Sequence, residues 1–337
     1  MAGNNTTLLN TISLPEFSDL VRKQFELFNE KVKPVAAQLF INESLTSHTD
    51  KTKRYDEVDV ETFAKLKREG ENAKKARAGV GYNKTMESKR VAREIDITWE
   101  MRRYGNQYKV KSALTDLNSF VTQRAELDLN HRFTFCSSTS YVDMDGETVD
   151  TTVGDGLAVA STVHQLAHSS VTYSNRVSGD PVFSQGGLEA AESLYVTDIY
   201  SNFGEIRTVT PNTIVTGRDP VTCRSVKQVL QSTSDVDAAH AGVMNVFQNK
   251  YTHVILPYLD TTATGARDST KKRWWFLVAV GMWQAYYGIF EATNMKEPVV
   301  NGNGEDMHND NWTYGTRGSY GIVVVSAKGC VCSLPNS

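Results

Sequence analysis

Residues 186–280 carry five successive stretches whose order decides the fold: GGLEAAESLYVTDIYSN (186–202), FGEIRTVTPNTIVTG (203–217), RDPVTCRSVKQVLQS (218–232), NKYTHVILPYLD (249–260) and KKRWWFLVAV (271–280). In the first, Leu188, Ala191, Tyr195 and Ile199 recur at helical spacing and predict a helix with one apolar face. The second holds a short β-branched run at 212–215, which reads as a strand. The third opens on Asp219 and Pro220, a capping residue followed by proline at the first helical position, which is a helix start. The runs 251–256 and 274–280 have strand length and no polar face, so both are expected as buried strands, separated by a polar loop at 259–272.

Outward from this core lies a long amphipathic helix at 107–130. Val110, Leu114, Leu117, Val121 and Ala125 form its apolar face, and Lys111, Asp116, Gln123 and Asp128 its polar one. Between 45 and 105 the chain is charged and poor in large apolar residues. We expect a long hairpin there, partly helical around 60–73, with AGVGYNK (78–84) as a turn at its tip and the alternating 90–99 as the returning strand. The polar stretch 1–18 reads as an arm. It leads into a helix from Asp19 with Val21, Phe25, Phe28, Val32, Val35 and Leu39 on one stripe, interrupted at Pro34. Residues 133–185 are β-like, with tight turns at DMDGE (143–147) and VGDGL (153–157). The tail alternates strands at 286–291, 321–326 and 330–334 with the loop NGNGEDMHNDN (301–311).

The net charge of the 337-residue chain is −3, which argues against a general nucleic-acid binder, but the charge is unevenly spread. Residues 51–111 hold 17 basic and 10 acidic groups, residues 112–255 hold 8 and 16. A basic segment followed by an acidic one of nearly equal excess suits association between copies of the chain. No secretory signal and no membrane-spanning run is visible, so an intracellular product is expected. Cys136 and Cys223 stand alone and Cys330 and Cys332 form one close pair on one face of a strand. Without a second pair, free structural thiols are the expectation.

A search for chemistry finds fragments only. His164 and His168 have the spacing of a zinc-protease helix, but Gln165 stands where the general base belongs, and the alternative is two histidines in a polar, partly exposed stretch. Asp143, Asp145 and Gly146 match part of a calcium loop that lacks its remaining ligands, so a β-turn is expected. No phosphate loop and no GxSxG elbow occurs. No cofactor is called for.

Taken in order, these parts resemble the major capsid protein of tailed bacteriophages, an α+β fold named after phage Hong Kong 97. DGLAVASTVHQ (155–165) and YTHVILPYLD (251–260) resemble stretches of Mu-like head proteins. The resemblance implies an N-terminal arm (1–45), an extended charged loop (46–105), a peripheral domain with a long spine helix (106–184), an axial domain (185–255) and a return to the peripheral domain (256–337). It implies a structural, non-enzymatic protein that self-assembles as hexamers and pentamers into an icosahedral capsid. It also implies packaged double-stranded DNA bound without specificity, portal and separate scaffolding or decoration proteins as partners, no membrane, assembly in the host cytoplasm and residence in the virion. From the short polar start at Met1 we expect no cleaved scaffolding segment, with scaffolding supplied by a separate protein or absent. One branch of the family joins subunits by a lysine–asparagine link, for which Lys84 is the candidate here.

Within the extended loop, Lys65, Lys67, Arg68, Lys74, Lys75, Arg77, Tyr82 and Lys84 are the expected inter-subunit contacts. Two other readings stand beside the viral shell. One is an encapsulin-like non-viral shell, the other a metal-dependent enzyme around His164 and His168.

Overall fold

A computed structural model describes residues 14–31, 33–103, 107–234, 244–298 and 311–336. In chain order the elements begin with α1 (Leu14–Lys31), β1 (Ile41–Ser44), β2 (Thr52–Val60), β3 (Ala78–Glu87), β4 (Lys89–Ile97), α2 (Trp99–Arg103) and α3 (Gln107–Thr134). The short strands β5 (Ser140–Val142), β6 (Thr148–Asp150), β7 (His164–Leu166) and β8 (Ser169–Tyr173) follow. Then come α4 (Gln185–Thr197), β9 (Thr213–Thr216), α5 (Pro220–Gln231), β10 (Thr252–Ile255), β11 (Trp275–Val278), β12 (Ala285–Lys296), β13 (Trp312–Val324) and β14 (Cys330–Ser333).

Two four-stranded sheets organise them. The first has the order β10-β9-β11-β14, and β11 is fully buried along its length. Its residues alternate between two cores. Phe276 and Val278 face one, with Val215, Val254, Cys330 and Cys332; Trp275 and Leu277 face the other, with Ile214 and Val331. Burial on both faces is why the sequence reads as an unbroken apolar run. The second of these cores is roofed by Leu188, Ala191 and Tyr195 of α4 and by Val226, Val229 and Leu230 of α5. Both helices start as the sequence dictates: the Ser184 hydroxyl accepts from the Gly187 N–H, and the Asp219 carboxylate accepts from the Thr222 N–H ahead of Pro220 at the first turn. Tyr195 and Trp275 satisfy their polar tips on Leu277 O (2.7 Å) and Pro181 O (2.9 Å).

The second sheet has the order β1-β12-β13-β4 and packs beneath α3. Phe133 of α3 is the hub of the shared core: its ring meets Phe40, Phe276 and Trp283 at 6.0, 5.1 and 5.2 Å. Ala125, Leu129, Tyr287, Tyr320 and Val324 complete this core, which joins the two sheets. Val21 of α1 packs with Ile97, Leu117, Trp312 and Tyr314 in a smaller cluster. The chain passes Pro34 into a 3-10 turn at Ala36–Leu39, so the interruption expected at the proline is present. Among the described residues no helix is long and apolar enough to cross a membrane.

Several expectations need correction. Residues 61–77 form no helix, because the segment is exposed almost throughout, crowds six cations and has no apolar stripe to bury. AGVGYNK is not a turn but lies inside β3, where Gly79 and Gly81 let the strand lie flush on neighbouring side chains: a Cβ at Gly81 would come 2.5 Å from Asn202 Nδ2. The helix expected at 107–130 runs on to Thr134. Asp128, assigned to its polar face, is buried and accepts from Tyr320 Oη (2.7 Å) and Arg124 Nε (3.1 Å). β12 and β13 are longer than expected, and β10 is a half-exposed edge strand. The boundary expected at 255 cuts a hydrogen-bonded sheet, since β9 and β10 precede it and β11 and β14 follow it. Residues 1–13 of the expected arm, Val32, the side chains of Val110 and Leu114, and 301–310 of the tail loop lie outside the described residues.

Candidate functional site

The hairpin β2–β3 and its tip, 61–77, are highly charged and hold every candidate contact residue. Its base is anchored by packing. Met86 is fully buried with Leu45, Tyr55, Val323 and Val325, and Tyr55 stacks on Tyr286 at 4.2 Å. Glu43 accepts from Tyr55 Oη (2.7 Å) and from Lys53 Nζ (2.5 Å), and these donors outweigh its burial to hold the Glu43 carboxyl below its usual range.

Further out, β2 is inverted. Its valines Val58 and Val60 are exposed, while Glu57, Asp59 and Glu61 are turned inward and buried. Each carboxylate has a fixed partner. Glu57 accepts from Lys328 Nζ (3.0 Å), Asp59 from the Asn202 N–H (2.8 Å) and Arg207 Nη1 (3.4 Å), and Glu61 from Arg77 Nε (2.7 Å), the Arg77 N–H (3.1 Å) and Lys65 Nζ (3.3 Å). The Arg77 guanidinium and N–H hold the Glu61 carboxyl down to about 2. Alternation forces the choice: a strand that buries one face must expose the other, and the counter-charges lie inside.

The candidate residues therefore divide. Lys65 and Arg77 meet on Glu61, and Arg77 also lies over the Phe203 ring at 5.4 Å. Lys84 sits on β3 away from the tip, bonded to Asp150 (2.6 Å) and to the Thr152 carbonyl (2.8 Å). Tyr82 is half-buried against Gly154, where a Cβ would come 2.5 Å from its own Cβ. Lys67, Arg68, Lys74 and Lys75 are exposed, with no ion pair among the described residues. Beside them the tip presents Phe63, 63% exposed, and Leu66, 81% exposed. These two apolar side chains, invisible as a feature within so charged a sequence, complete a surface of cations around a greasy point.

The two histidines do different things. His164 is buried, not partly exposed as expected, with Nδ1 on Asp155 (2.7 Å) and Nε2 on Val159 O (3.2 Å). His168 bonds Val80 O (3.1 Å) and stacks on Phe203, pinning the hairpin from outside. Among the described residues no group of three or more His, Cys, Asp or Glu is placed to hold a metal ion. The four cysteines are free, and burial pushes the Cys136, Cys330 and Cys332 thiols up.

No family model and no curated protein matches the chain. Solved structures do. The capsid of Ralstonia phage GP4 aligns with 89% of this chain and 88% of its own at a TM-score of 0.52 and 13% identity. The capsid structure of cyanophage P-SCSP1u aligns with 89% and 87% at 0.52 and 10% identity. A structure from Microbacterium phage Oxtober96 aligns with 90% and 92% at 0.50 and 10% identity. Over nine-tenths of its length, this chain has the mixed α+β fold of phage capsid structures.

Proposed function

We propose that the chain is a major capsid subunit, which assembles with copies of itself as pentamers and hexamers into an icosahedral phage head around double-stranded DNA. The carrying observation is that the fold match to phage capsid structures covers about nine-tenths of the chain and nearly as much of each matched chain. A structural, non-enzymatic role accords with it, since the buried histidine and carboxylates are engaged in holding the hairpin and loops in place. In this reading 1–45 is the arm, 46–105 the extended loop, and α3 with the second sheet the peripheral domain. The axial domain extends beyond 185–255 to take in β11 and β14, which complete its sheet. The virion is then its location, host cytoplasm its place of assembly, and portal and scaffolding or decoration proteins its further partners.

The hairpin tip is the inter-subunit contact in this proposal. Among the described residues Phe63 and Leu66 stay largely exposed, and an exposed apolar pair beside lysines suits an acidic, partly apolar surface on a neighbour. The test is electron microscopy of the expressed chain across a range of salt, concentration and added scaffold. Closed shells of pentamers and hexamers are expected; a product that stays monomeric under every condition overturns the reading.

A further inference from the structure

Lys328, Asn202 and Glu57 come from three distant parts of the chain and meet in one buried site. Lys328 lies between β13 and β14, Asn202 in the loop after α4, and Glu57 on β2. Lys328 Nζ donates to Asn202 Oδ1 at 2.7 Å and to Glu57 Oε1 at 3.0 Å. Asn202 is 1% exposed and Glu57 5% exposed. The Asn202 Nδ2 amide group, also buried, has no hydrogen-bond partner among the described residues. It converges with Glu57 Oε2 on the space above Gly81, where a Cβ would stand 2.5 Å from the nitrogen and 3.0 Å from the oxygen. The adjoining cavity is about 10 Å³ and is lined in part by Tyr82, Tyr173 and Val325, so it has room for one water at most.

A lysine–glutamate pair needs no amide to complete it, and a buried NH₂ without an acceptor is costly. Both facts are explained if that NH₂ is a leaving group. We propose that Lys328 and Asn202 form an isopeptide bond within the chain, with Glu57 carrying the proton. The Glu57 carboxylate takes a proton from the Lys328 ammonium, and the freed amine attacks Asn202 Cγ to form the Nζ–Cγ bond. Glu57 then passes the proton to Nδ2, the Cγ–Nδ2 bond breaks, and ammonia departs. It takes up the remaining excess proton of Nζ to become ammonium. One amide replaces another, so the step needs no oxidant and no cofactor. Holding the nucleophile against the carbonyl in a largely enclosed site is what makes so slow a reaction feasible.

The bond would staple the loop after α4 to the chain before β14 across a sequence separation of 126. It differs from the inter-subunit link considered for Lys84, and it does not depend on what the chain assembles into. The test is the intact mass of the full-length protein, denatured after purification, with peptide mapping. The wild type should weigh about 17 Da less than its sequence, with a tryptic species joining the Asn202 and Lys328 peptides and no cleavage after Lys328. Lys328→Arg and Glu57→Gln should restore the full mass, and circular dichroism should show Glu57→Gln still folded. A wild type of full mass overturns the proposal. So does a mass loss that persists in Lys328→Arg, as a succinimide at the Asn-Gly steps 301–302 or 303–304 would give. A mass loss that persists in Glu57→Gln overturns the role of Glu57.

Discussion

Reversing the charge of the hairpin tip should weaken assembly and leave the subunit intact. The perturbation is the fourfold variant Lys67→Glu, Arg68→Glu, Lys74→Glu and Lys75→Glu. Lys65 and Arg77 are spared because both are bound to Glu61 and hold the hairpin together. The four chosen cations are exposed and make no ion pair among the described residues, so the melting temperature should stay where it is. Across an interface, each exposed pair contributes about 0.2–1 kcal/mol, so four of them amount to about 1–4 kcal/mol per contact. At about 1.4 kcal/mol per decade, pairwise association weakens by about fivefold to a thousandfold. The loss repeats at every interface of a closed shell, so yield should fall steeply. Screening tightens from about 8 Å at physiological salt to about 3 Å at 1 M, so high salt should bring the wild type down towards the variant. Sucrose-gradient yield and negative-stain microscopy at low and high salt measure this, with circular dichroism as the folding control. Shells of normal yield that fail only to retain their genome would mean that the tip faces DNA, and the inter-subunit reasoning would be wrong.

Three further outcomes test the fold. Phe133→Leu and Phe276→Leu, whose rings meet edge-on at 5.1 Å, should couple by about 0.5–1.5 kcal/mol in urea unfolding, whereas Phe276→Leu and Phe183→Leu, in the two different cores, should add; an additive first pair would contradict the shared core. Burial lowers the His131 imidazole to about 4, and the unfolded imidazole titrates near about 6.5, so the unfolded chain takes up the proton first as pH falls. Its stabilising contribution is therefore full above about 6.5 and lost on the way down to about 4, a drop of about 2 kcal/mol by pH 5; His131→Gln should flatten that slope, and an unchanged slope assigns it to other groups. In the native protein a thiol reagent should label the half-buried Cys223 first, with Cys136, Cys330 and Cys332 waiting for unfolding, and all four should titrate once denatured. Finding two or fewer in the denatured, unreduced protein would mean that they are not free.

The order of elements between 186 and 280 was legible because its signals are local: a cap before Pro220, a 3.6-residue period through Tyr195, and a run of apolar residues at β11. The glycines were read wrongly for the opposite reason. Gly79 and Gly81 suggested a turn, and Gly315, Gly318 and Gly321 hid the length of β13, since chain reversal is the commonest local use of glycine. Their actual use is close packing against distant segments: a Cβ at Gly321 would come 2.5 Å from Met86 Cγ and 2.6 Å from the Glu87 carbonyl. No window of sequence contains that partner. The site of Lys328, Asn202 and Glu57 was hidden in the same way, its members separated by 126 and 271 positions. One signal was present and unread. In Tyr55–Glu61, acidic and apolar residues alternate in strand register, a pattern masked by the high charge of the segment around it. A strand with one buried face must bury one of the two sets. Where cations such as Lys328 and Arg207 line the inner side, the carboxylates go in and Val58 and Val60 are left outside, exposed as Phe63 and Leu66 are. The inversion of β2 thus follows from the charge it meets, and it makes the apolar side of the hairpin available to a neighbour.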